Sequence, residues 1–388
     1  MSAERAADHE RRRAVARVDV GAIERNVRRL ARVAGPGVAL APVVKADGYG
    51  HGAARAARAA LAAGAARLCV ATAGEAVALR RAGLAAPGAG GPGSARGGVP
   101  ILVLGALSAG ELRAALAAEA EIAVWDPALL RALPASARVH VKLDTGMGRL
   151  GTRDAALATA LADAAGPRLA GLWTHLATAD ERADGGFFDA QLDRFAAWAR
   201  PLRRPGVVAH AANSAALLRS PRARFDMVRP GIAIYGIDPF GRDAAAHGLE
   251  PALSLRSWVA AVKRTRAGES AGYGRRFVAD RATWLATVPI GYGDGWPRAL
   301  GERGGEVAIG GRRFPLAGTI SMDNLTVDLG PDGGGVTVGD EVVLLGDGIT
   351  AEQVAARLGT IAYELLTGLT ARVERVQRRA AVAVPVTV

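Results

Sequence analysis

From about residue 36 to residue 235, short apolar runs alternate with longer alanine-rich stretches that carry arginine at intervals. The runs fall at 38–44, 68–71, 101–104, 122–125, 139–143, 169–173, 207–209 and 227–233. Runs this short and this apolar predict buried strands, and the stretches between them, most clearly 53–63 and 187–199, predict helices. Eight strand–helix units imply a parallel sheet, and eight is the number at which such a sheet closes on itself. The expected fold class is therefore α/β, with an N-terminal (β/α)8 TIM-type barrel.

Beyond residue 236 the pattern changes. A linker is expected over 237–250, then β-type segments at 253–263, 283–289, 306–309, 325–329 and 341–345. Thr350 and Gln353 stand three apart, as a capping box requires, before a helix at 351–358. The expected organisation is a disordered tail at 1–13, a barrel domain at 14–243 and a C-terminal mostly-β domain at 244–388. The Gly- and Pro-rich stretch 85–99 reads as a flexible surface loop.

Composition narrows the classes. With 388 residues the chain has room for both domains. Its single cysteine, Cys69, excludes an internal disulfide framework and fits the cytoplasm. The charged start lacks the apolar core of a secretory signal. No apolar run reaches the ~18 residues of a membrane span, so no membrane role is expected. The formal charge is +12, but arginine is spread over all segments and no basic run lies beside interleaved aromatics, which argues against nucleic acid. Of the 49 basic residues only Lys45, Lys142 and Lys263 are lysine. In a chain that otherwise uses arginine, a lysine hints at chemistry that guanidinium cannot perform, such as imine formation.

In a barrel the functional groups gather where strands end, on the C-terminal face. Those ends carry Lys45 with Tyr49, Lys142 running on to Arg149, His175, Asn213–Ser214 and Arg229. A buried strand-end lysine followed by glycines suits a cofactor that is held as an imine, because burial favours the free amine. The segments around Ser214 and around Gly231–Ile232 offer backbone N–H groups to a phosphate. His51 and His210 are read as structural histidines, Cys69 as inert and Tyr235 as barrel packing. No metal-ligand spacing is present, so no metal is expected.

The segment PVVKADGYGHG at 42–52 closely resembles the cofactor-lysine segment of the alanine racemases, the pyridoxal phosphate (PLP) enzymes of the fold-type III barrel family. The resemblance continues in order through 142–151, 172–181, 227–236, 271–275 (AGYGR), 290–296 (IGYGDGW), 318–324 (GTISMDN) and 371–376. It implies a PLP-dependent isomerase that interconverts L- and D-alanine by two-base proton transfer and supplies D-alanine for peptidoglycan.

By the same resemblance, Lys45 would carry PLP and exchange the α-proton of the D-isomer. Tyr273, reaching in from the second subunit of a homodimer, would serve the L-isomer. Arg229 would face the pyridine nitrogen, with His175 behind it; Tyr49, Ser214, Gly231, Ile232 and Tyr363 would hold the phosphate. Arg149 and the backbone of Met322 would meet the substrate carboxylate, and Tyr292 would stand at the entrance. The lysine matching Lys142 is carbamylated in some members. Thr319 and Ser321 depart from the family's usual residues and bear on substrate range. The alternatives are a racemase of serine or of several small amino acids, a PLP decarboxylase on the related barrel, and a non-catalytic PLP carrier.

Overall fold

The computed structural model describes residues 12–84, 98–181 and 183–379. Most of the expected loop at 85–99 and of the expected tail at 1–13 lies outside them. Arg12 and Arg13 lie inside, and they differ from a loose tail: Arg12 pairs with Glu374 and Arg13 with Asp323. The chain divides into two compact units, one of Ile23–Phe240 with Ala245–Glu250, the other of Met1–Ala22, Gly241–Ala244 and Pro251–Val388.

The first strand, β1 (Val15–Asp19), is not part of the barrel. The barrel strands are β2 (Ala39–Leu40), β3 (Leu68–Val70), β4 (Ile101–Val103), β5 (Glu121–Val124), β6 (Val139–Lys142), β7 (Leu169–Trp173), β8 (Val208–His210) and β9 (Met227–Val228). Strands β3 to β8 pair in parallel in chain order, and β2 pairs in parallel with β9. The ring closes through the Cys69 amide on the Pro42 carbonyl at 2.9 Å and the Asp226 amide on the Ala209 carbonyl at 3.0 Å. This is the expected eight-stranded barrel. The strand expected over 227–233 stops at Val228, because Pro230 has no N–H to continue a ladder, and Ile232–Tyr235 turns as a 3-10 helix instead.

Five of the eight strands hand over to a helix that opens on a polar side-chain cap. Thr72 with Glu75 and Ser108 with Glu111 form capping boxes, and Asp126, Asp154 and Asn213 accept from the first turns of theirs. Residues just beyond a strand are thus fixed against the helix that follows. The helix Phe187–Ala199 buries Phe188, Leu192 and Phe195 as its inner stripe.

The other unit is built on two antiparallel-rich sheets. In the larger, the order is Arg312–Pro315, Glu306–Ile309, Glu341–Leu345, Leu253–Trp258, β1 and Glu374–Arg378. In the smaller, Ala261–Thr265, Thr283–Val288 and Leu325–Gly330 lie side by side. Two expectations are corrected here. Residues 253–263 form two strands rather than one, because the Val259 amide bonds to Asp340 and the next amide, of Ala260, bonds to Thr287 in the other sheet. And β1, expected within the barrel domain, is paired on both sides by strands of this unit. The Thr350–Gln353 capping box opens the helix Ala351–Leu358.

Candidate active site

Lys45 follows the buried segment that continues β2. After it the chain takes an unusual course: Ala46, Asp47, Gly48, Tyr49 and Gly50 all have φ between +50° and +80°. This is one turn of left-handed helix, closed by the Gly50 amide on the Ala46 carbonyl at 3.0 Å. Glycine takes that conformation freely, but Ala46, Asp47 and Tyr49 do so at a cost of about 1–2 kcal/mol each. Side chains repay it locally. The Ala46 amide donates to Glu75 at 2.6 Å, and Asp47 accepts from the Ala53 amide at 2.9 Å. His51 Nδ1 lies 2.9 Å from the Tyr49 carbonyl, and its ring stacks on Tyr235 at 4.4 Å. Tyr235 is fully buried and donates to the Val43 carbonyl, so both are packing groups, as expected. Burial lowers the pKa of the Lys45 amine, helped by the Arg149 charge and opposed by Glu75. The free base is thereby more available.

Beside this turn the buried Ser214 hydroxyl, at the start of the helix Ser214–Arg219, gathers the amides of Gly231 at 2.9 Å and Ala233 at 3.2 Å, just beyond β9. A Cβ on Gly231 would stand 2.4 Å from the Tyr49 hydroxyl, so glycine is what allows that hydroxyl into the cradle. Burial pushes the Tyr49 hydroxyl pKa well above its ordinary value, so it is a neutral donor. Ile232 is fully buried under the same turn.

Arg229, 2% exposed, reaches His210 Nδ1 at 2.6 Å and the carbonyls of Thr174 and Ala211 at 3.0 Å, with His175 Nδ1 at 3.4 Å. Burial brings the guanidinium down to about 10, and it remains a cation at neutral pH. His175 is held well below its usual range by burial and then by Arg229, so it is neutral. Lys142 is 1% exposed, with its Nζ 4.3 Å from the Trp173 ring centre. Burial, then Arg229 and Arg149, lower its pKa to about 7, with Asp144 opposing.

Arg149 is carried on a loop that Asp144 organises. One carboxylate oxygen accepts from the amides of Gly146, Met147 and Gly148 at 3.1, 2.7 and 3.2 Å. Burial works against this carboxylate, yet the three amides and Arg153 keep its pKa below the ordinary value. Gln191 donates to Thr145 and to the His175 carbonyl, tying the loop to β7. The barrel thus brings together nine of the expected residues: Lys45, Tyr49, Lys142, Arg149, His175, Ser214, Arg229, Gly231 and Ile232.

The other four, Tyr273, Tyr292, Met322 and Tyr363, belong to the second unit. Tyr273 stands between Gly272 and Gly274, both at positive φ, and is 75% exposed. Thr319, one of the departures from the family's usual residues, donates to the Tyr273 carbonyl at 3.3 Å. Ser321 closes its own turn on Asn324. The Gly293 amide, next to Tyr292, donates to the Met322 carbonyl at 2.9 Å. Tyr363 lies in the helix Ala362–Thr367.

Two sequence profiles match the chain: "Alanine racemase, N-terminal domain" over residues 18–239 and "Alanine racemase, C-terminal domain" over 252–377. The chain belongs to the alanine racemase family. Among curated relatives, alanine racemase of Symbiobacterium thermophilum is 42% identical over 377 residues, 93% of this chain and 96% of its own. That of Mycobacterium tuberculosis is 44% identical over 387 residues, 95% and 96%. Among solved structures, alanine racemase from D-cycloserine-producing Streptomyces lavendulae superposes with a TM-score of 0.85 at 38% identity, over 95% of this chain and 98% of that one. The chain is accordingly an isomerase of the amino-acid racemase class. The barrel residues fit a phosphorylated aldehyde such as PLP: a strand-end amine biased to its free base, and an N–H cradle shaped by a glycine.

Sequence reasoning missed Glu75, Glu121 and His140, and it set His210 aside as structural. Glu75 carried a signal in its spacing from Thr72. The others carried none, since their partners are far away in the chain.

Proposed function

We propose that the chain interconverts L- and D-alanine in the cytoplasm, with PLP held through Lys45, and so supplies D-alanine for peptidoglycan. The observation that carries this reading is the left-handed turn that sets a low-pKa lysine next to the Ser214–Gly231 cradle. PLP, when bound, supplies an electron-withdrawing ring that acidifies the α-C–H of an attached amino acid. Lys45 Nζ, as free base, accepts or returns that proton on one face. The Tyr273 hydroxyl does so on the other, and inversion needs both.

Arg149 would offer its guanidinium to the substrate carboxylate, and the family resemblance gives the Met322 backbone the same carboxylate and Tyr292 the entrance. Arg229 would donate to the ring nitrogen without giving it a full proton, which would favour plain proton exchange over other PLP chemistry. Tyr49, Ser214, Gly231 and Ile232 would hold the phosphate, to which the family resemblance adds Tyr363. Lys142, with a pKa near 7, has the free amine that carbamate formation requires, and as a carbamate it braces Arg149. Tyr273 is three-quarters exposed in the single chain. The family resemblance gives the working form as a homodimer in which Tyr273 serves the site of the other copy, and that arrangement would cover a base that has to keep its proton from bulk water.

The test is optical. Purified protein with added PLP is incubated separately with L- and D-alanine, and the enantiomer ratio is followed by chiral chromatography. Both reactions converge on an equal mixture if the reading holds. Optically stable alanine beside racemised serine moves the substrate; stable alanine and serine with PLP plainly bound leave only a carrier.

A further inference from the structure

The interior of the barrel, ordinarily filled by branched apolar side chains, holds a chain of polar ones. Arg229 Nη1 contacts His210 Nδ1 at 2.6 Å, and His210 Nε2 contacts His140 Nδ1 at 2.9 Å. His140 Nε2 contacts Glu121 Oε2 at 3.0 Å, and that oxygen is 3.2 Å from Arg67 Nη1. Glu121, His140, His210 and Arg229 are all buried. His140 and His210 stand on β6 and β8, which are separated by β7, so their rings meet across the inside of the barrel. The intervening strand is notched to let them. A Cβ on Gly171 would fall 2.2 Å from His140 Nδ1.

Donor and acceptor counting fixes the direction of every bond. A neutral imidazole has one donor and one acceptor, and a guanidinium only donates. Two imidazoles in series between Arg229 and Arg67 cannot satisfy both ends, because two obligate donors face each other across them. One acceptor-only group has to be inserted, and Glu121 is that group. His210 Nδ1 then accepts from Arg229, His210 Nε2–H donates to His140 Nδ1, and His140 Nε2–H donates to Glu121. The 3.2 Å approach of Arg67 to His140 Nε2 is donor against donor, so Arg67 bonds to the carboxylate.

We propose that Glu121, His140 and His210 are positioning residues for the racemase reaction, a one-way relay that holds Arg229 as a fixed hydrogen-bond donor. This rests on the reading of Arg229 as the partner of the cofactor's ring nitrogen. Both rings are neutral: turning His210 would set an N–H against Arg229, and turning His140 would set two N–H groups against each other and a bare nitrogen against Glu121. The relay is anchored at the N-terminal end of β5 and acts at the C-terminal end of β9.

The experiment is nitrogen NMR of the holoenzyme with 15N-labelled histidine ring nitrogens, the six histidines assigned by single substitution. His140 and His210 are expected neutral, each protonated on Nε2 only; a proton on Nδ1 of either ring overturns the relay, with no variant needed. Glu121→Leu is expected to invert or randomise the two tautomers, shift the absorption of bound cofactor and lower kcat about tenfold with a smaller change in KM, on the scale of lost outer-shell partners. Glu121→Gln, which keeps an acceptor oxygen, restores all three. Glu121→Leu with wild-type tautomers and spectrum defeats the proposal. Failure of the underlying reading looks different: Arg229→Gln then leaves the cofactor absorption unchanged, whatever the tautomers.

Discussion

The Glu75 carboxylate accepts the amide of Ala46, the residue next to Lys45, at 2.6 Å, and its second oxygen accepts those of Ala71 and Thr72 at 2.7 and 3.1 Å. One side chain therefore caps a barrel helix and clamps the first residue of the left-handed turn. Glu75→Ala is expected to cost about 1–2 kcal/mol, the range for a lost helix cap. Urea unfolding checks it, and an unchanged midpoint would remove the clamp from the account.

Gly231→Ala places a methyl group 2.4 Å from the Tyr49 hydroxyl. The expected cost is about 1–3 kcal/mol of overpacking, with faster loss of PLP on dialysis. Adding Tyr49→Phe removes the clashing oxygen. The double variant should therefore recover part of the stability of Gly231→Ala, a coupling that a double-mutant cycle measures. Strict additivity would mean that the two residues do not meet.

Lys142 gives a pH dependence with a definite sign. Its folded pKa of about 7 lies below the ordinary 10.5, so between those values the unfolded chain binds more protons. Stability then rises with pH across that window, whereas Lys142→Met lacks this contribution. In carbon-dioxide-free buffer the wild type should gain stability relative to Lys142→Met from pH 7 toward pH 10. A constant difference across the window would show that the amine is not desolvated.

Lys45→Ala and Tyr273→Phe should each abolish racemisation to within about 10²–10⁴-fold of the wild-type rate. If Tyr273 serves the other copy's site, refolding the two variants together restores activity. Random pairing makes half of the dimers mixed, each with one intact site, so about a quarter of wild-type turnover is expected. A mixture as inactive as its components would place both residues in one chain's site.

Part of the site was legible because polar residues punctuate the apolar runs: Lys45 directly follows the run 38–44, Lys142 stands near the end of 139–143 and Arg229 near the start of 227–233. The left-handed turn was not, since Ala46 and Asp47 carry no mark of positive φ and only the glycines around them do. Gly171 reads as a weak strand residue until the ring of His140 is seen above it. β1 escaped for a different reason. Its pairing residues lie at 253–256 and 374–378, and a five-residue strand says nothing about partners so far along the chain. The break at Val259–Ala260 was hidden because the run stays β-type while its hydrogen bonds pass from one sheet to the other.

The position of β1 sets an order of events during synthesis. Among the described strands it is the earliest to leave the ribosome, yet both of its edges await strands made after the barrel, the later of them Glu374–Arg378. Until then an early strand waits with two bare edges, the feature that invites pairing with the wrong chain. Arginine at position 17 in its middle, and the arginines at 11, 12 and 13 just ahead of it, put like charge on that edge and oppose self-association while it waits. The late strand Glu374–Arg378 thus completes a sheet that β1 began.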